Sequence, residues 1–134
     1  TSQTIVNTRN LDKGIAVQGF DTVAYFTKQM AIKGSKEFSV THEDATYWFV
    51  SVENKNLFLK NPSKYEPQYG GWCAYAIGNS AEKISINPET FKIVDGKLYL
   101  FYNKFLTNTL NSWNKDEKNL KAKANKNWNE IIKK

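Results

Sequence analysis

One cysteine and one histidine in 134 residues set the first limit on what this chain can fold into. A lone cysteine forms no intrachain disulfide. One Cys and one His cannot supply the four ligands of a structural zinc. The fold must therefore be held by its apolar core. Hydrophobic residues make up 40% of the chain and aromatic residues 14% (Trp 4, Tyr 7, Phe 8), so that core is built largely on rings. No apolar run approaches the roughly 20 residues of a membrane-spanning helix, and the length fits one domain.

The local pattern is mixed. Asp95-Gly96 lies between the apolar runs Phe91 to Val94 and Leu98 to Phe101, the strongest hairpin signal in the chain. A second hairpin is expected from Glu37 to Thr41 and Thr46 to Val50, with His42-Glu43-Asp44-Ala45 as its polar connection. Asp21 reads as the N-cap of a helical turn to Thr27, and Ser51 opens a helix that ends before Pro62. Residues 62–71 form a turn-rich connector, and Trp72 to Ile77 is an apolar run that reads as buried. Leu106, Leu110 and Trp113 fall at helical spacing with Asn103 as the cap, and Leu120, Ala124, Trp128 and Ile131 continue a helical stripe. The expected class is α+β: two short β-hairpins in a small antiparallel sheet, flanking helices and a helical C-terminal tail. Residues 1–14 read as a flexible lead and 15–134 as one domain.

The formal net charge is +6. Arg9 is the only arginine, and the lysines gather near the C-terminus at Lys115, Lys118, Lys121, Lys123, Lys126, Lys133 and Lys134, among asparagines. This is the pattern of a solvated helix face. It lacks the arginine-rich surface expected of a nucleic-acid footprint, so no nucleic-acid partner is expected.

Few residues can carry chemistry. Cys73 is either a small buried hydrophobe between Trp72 and Ala74 or a metal ligand or reactive thiol. His42 is either an exposed loop residue or an imidazole ligand or base. A Cys73–His42 dyad, oriented by Asp21 or Asp44, would suit nucleophilic catalysis or thiol redox work. Gly70-Gly71 lacks the phosphate-binding patterns and reads as a turn. Tyr65, Tyr69, Trp72 and Tyr75 are either core or an aromatic binding platform.

Several segments, in order, resemble small exported YHS-domain proteins. Gly19-Phe20-Asp21-Thr22-Val23-Ala24-Tyr25-Phe26 is similar to their G-Y-D-P-V-A-Y-F opening. Tyr47-Trp48-Phe49-Val50-Ser51, Phe58 and Asn61-Pro62-Ser63-Lys64-Tyr65 resemble the Y-Y-F-x-S…F…N-P-x-K-Y core. Pro67-Gln68-Tyr69-Gly70-Gly71-Trp72-Cys73-Ala74 resembles P-Q-Y-G-G-x-C-A, and Asp95-Gly96-Lys97-Leu98-Tyr99-Leu100 the D-G-K-L-Y-L hairpin. The resemblance spans about residues 15 to 130.

It implies a treble-clef-like core related to metal modules of copper ATPases and heavy-metal sensors. Those relatives carry cysteines where this chain has Ala24 and Val50. The resemblance thus leaves Cys73 as thiolate and His42 as imidazole ligand of a copper or zinc ion, copper first, with Asp21 as a third partner. It also implies export, periplasmic or lipid-anchored, in keeping with the missing initiator methionine. Three readings follow: a metal-binding domain that is not an enzyme, a Cys–His enzyme or redox protein, and a structural or interaction module without a metal.

Overall fold

The computed structural model describes residues 8–133. Asn10 enters as an anchored strap: its backbone N–H donates to the Gly70 carbonyl and its side chain to that of Gly71. Strands β1 (Leu11–Asp12) and β2 (Ile15–Ala16) follow at once, so residues 11–14 belong to the fold, while residues 1–7 of the expected lead lie outside the described residues. A 3-10 turn at Val17–Gly19 leads to α1 (Thr22–Thr27). Strands β3 (Ser35–His42) and β4 (Ala45–Phe49) form the first expected hairpin. Its turn is only Glu43-Asp44, both with positive φ, so His42 is the last residue of a strand and not a loop tip.

Helix α2 (Val52–Lys60) is capped by Ser51, whose hydroxyl accepts from the Asn54 backbone N–H. The connector after it contains a short helix α3 (Pro62–Tyr65) and a 3-10 turn at Gln68–Gly71. The apolar run at Trp72 feeds α4 (Ala74–Ser80). Strands β5 (Asn87–Val94) and β6 (Lys97–Phe101) close on Asp95-Gly96 as expected. Strands β7 (Asn103–Lys104) and β8 (Thr107–Asn108) make a further hairpin before α5 (Thr109–Lys115) and α6 (Glu117–Ile132).

The molecule is α+β. Its two longer hairpins lie in separate sheets: one sheet runs β1-β2-β4-β3 with β2 and β4 parallel, and β5-β6 and β7-β8 stand as two-stranded pairs. Alternation along β6 explains why one hairpin supports two cores. Leu98 and Leu100 pack with Val23, Tyr47, Phe49, Phe58 and Cys73, whereas Tyr99 and Phe101 pack with Ile77, Trp113, Leu120 and Ala124. Helices α4 and α6 meet closely at Gly78, where an added Cβ would sit 2.6 Å from the Leu120 carbonyl oxygen. The lysines at 115, 118, 123, 126 and 133 are exposed, the solvated face expected of this region.

Candidate functional site

The three residues singled out as ligands occupy three different settings. Asp21 is fully buried. Its Oδ1 accepts from the Ala24 N–H at 3.0 Å, capping α1, and its Oδ2 accepts from the Val50 N–H at 2.9 Å and the Asn54 side chain at 2.8 Å. Three donors satisfy this carboxylate and tie α1 to the end of β4 and the first turn of α2. That is architectural work.

Cys73 is also fully buried. It underlies an open depression between Tyr75, Glu82, Tyr102 and Thr107 without reaching its surface. Its sulfur lies 3.3 Å from Thr109 Oγ1, and that hydroxyl donates its proton to the Tyr102 carbonyl at 2.7 Å. A hydroxyl has one proton to give, so the Cys73 S–H is the donor to Thr109. The bond needs the protonated thiol.

His42 lies elsewhere, its side chain 32% exposed, with Nε2 at 3.8 Å from both Glu43 Oε2 and Glu66 Oε1. Arg9 holds these carboxylates together: its Nη2 is 3.0 Å from Glu43 and 2.8 Å from Glu66, and Nη1 donates to the Glu43 carbonyl at 3.1 Å. The Tyr47 hydroxyl donates to Glu66 as well. Burial, reinforced by the Glu66 charge, pushes the Tyr47 phenol well above its ordinary value, so it remains a donor. The Arg9 side chain is only 6% exposed, so the sole arginine acts as a fork that fastens the N-terminal strap to β3 and α3. Charge counting alone gave it no such role.

No hydrogen bond or ion pair joins Cys73, His42 and Asp21. Among the described residues no group of three or more His, Cys, Asp or Glu side chains is placed to hold a metal ion, so the expected trio is not assembled as a ligand set. The aromatic platform is not formed as a surface either, since Tyr65 and Tyr69 are 6% and 4% exposed.

What stands out instead is the β7–β8 turn. Asn103 pairs with Asn108 and Lys104 with Thr107, leaving Phe105 and Leu106 as a two-residue turn with φ of 52° and 66°. Both residues are fully in solvent, at 89% and 108% relative exposure. A turn with two positive φ values suits Asn, Asp and Gly, and each large L-residue in it costs about 1–2 kcal/mol. The chain's other two-residue turns, Lys13-Gly14, Glu43-Asp44 and Asp95-Gly96, use polar residues or glycine. Among the described residues only this two-residue turn presents two large apolar side chains.

The base of the hairpin is fixed. The Thr109 N–H donates to the Tyr102 carbonyl, the Asn103 amide donates to Thr90 Oγ1, and Asn108 Oδ1 accepts from the Leu110 N–H as the cap of α5. Cys73, through Thr109, is part of that foundation. Sequence reasoning missed the tip because Leu106 fits the helical spacing of Leu110 and Trp113, and because Phe-Leu carries no turn signal. No family model, curated protein or solved structure matches this chain.

Proposed function

We propose that this chain is a binding module that docks through the β7–β8 tip and carries no thiol chemistry. The observation that carries the reading is the pair Phe105 and Leu106, fully exposed in a backbone conformation that disfavours both. A protein core gains nothing from side chains it does not touch, so their use lies outside the folded chain. The surroundings of the three expected ligands support the same reading. Asp21 has its acceptors engaged, Cys73 donates as a thiol inside the core, and His42 sits in an ion-paired cluster that fastens a strand end. On this reading the segments that resemble YHS-domain proteins serve the fold, with Asp21 as cap and Tyr47, Phe49 and Phe58 as core.

Site-specific photocrosslinking in the source cells tests it. A benzophenone amino acid replacing Phe105 should form adducts with a macromolecule, protein or lipid. The same probe at exposed Lys36 should not. Equal yields at the two positions would contradict the reading.

A further inference from the structure

The tip's chemistry also points to what receives it, an inference that rests on the docking reading above. We infer that Phe105 and Leu106 insert into the boundary of an anionic lipid surface, with Lys104 at headgroup level. The two side chains stand fully in solvent on a tight turn, and lipid acyl chains accept such a pair without a matching pocket. The hairpin's two residue pairs amount to about 7 Å of strand, comparable with the roughly 5–10 Å depth reached by interfacial apolar faces.

Charge favours the same surface. Lys104 is the cation next to the tip, and Glu82 lines the depression on its Thr107 side. Lys104 and Thr107, the residues flanking the tip, are exposed. The whole chain carries a formal +6, which draws it toward a negative surface before the tip engages. No helix among the described residues is long and apolar enough to cross a membrane. Each apolar side chain contributes at least about tenfold in partitioning and a lysine near the surface about fivefold, which gives weak, reversible binding.

Cosedimentation of the full chain with phosphatidylcholine vesicles, with and without phosphatidylglycerol, tests this. The wild type should bind the mixed vesicles, bind phosphatidylcholine alone more weakly, and lose affinity as salt rises. Phe105→Asn combined with Leu106→Gly, which suits the turn and keeps the fold, should cost about a hundredfold, and Lys104→Gln about fivefold. Absence of wild-type binding to mixed vesicles overturns the lipid assignment, as does a double variant that binds like wild type through its lysines alone. Photoadducts at position 105 that are exclusively protein would also overturn it while leaving the docking reading in place. No adducts at all would remove both.

Discussion

Asp21 shows why a residue type alone says little about its job. A carboxylate at an element boundary can ligate a metal or satisfy backbone donors, and here the donors of Ala24, Val50 and Asn54 use it fully. Removing it would leave buried N–H groups unpaired at about 1–3 kcal/mol each, besides the lost cap. Asp21→Ala should therefore lower unfolding stability by about 2–4 kcal/mol in urea titrations; a change below about 1 kcal/mol would show that the carboxylate is not needed by the fold. Cys73 teaches a related lesson. It is the chain's one thiol, yet its sulfur is a hydrogen-bond donor at the foot of the β7–β8 hairpin, in the fully buried core.

At the scale of elements, legibility followed the range of the interaction that sets each one. Local signals were readable: Asp21 and Ser51 as caps, Asp95-Gly96 as a turn, and the stripe Leu120, Ala124, Trp128 and Ile131 along α6. The parallel pairing of β2 with β4 and the placing of the two longer hairpins in separate sheets were not, because nothing local encodes which strands meet. The helical reading of Leu106 failed through coincidence of spacing, since Leu110 and Trp113 do belong to a helix but it begins only at Thr109. The candidate site was the least legible part. Cys73, His42 and Asp21 carry chemically capable side chains, but what occupies them depends on partners distant in sequence: Thr109, Glu66 and Val50. Gly78 is a long-range case too. Alanine favours a helix by about 1 kcal/mol over glycine, but at this position its Cβ would meet the Leu120 carbonyl oxygen at 2.6 Å. Gly78→Ala should thus destabilise, by about 1–3 kcal/mol, as α4 and α6 are forced apart. A rise in thermal midpoint would show that α4 and α6 leave room for a methyl group at this crossing.

The whole molecule's response to pH follows from its buried phenols. Burial raises Tyr25, Tyr47, Tyr69 and Tyr99 above their ordinary value of 10.0 in the folded chain. The unfolded chain releases these protons first, so the stability they contribute is complete below pH 10.0 and is lost as pH rises beyond it. Urea midpoints should fall steeply between neutral and strongly alkaline pH, and Tyr47→Phe should make that fall shallower. A slope unchanged by the substitution would contradict the role given to Tyr47. The central claim, that Phe105 and Leu106 serve a partner and not the fold, is tested most directly by the thermal midpoint of Phe105→Asn combined with Leu106→Gly. Relieving two residues that each cost about 1–2 kcal/mol, less about 0.5–1 kcal/mol for the extra unfolded-state freedom of glycine, should raise stability by about 1–3 kcal/mol, a gain of several degrees. A lower midpoint would mean that the two side chains stabilise the chain itself, and the docking account would fall.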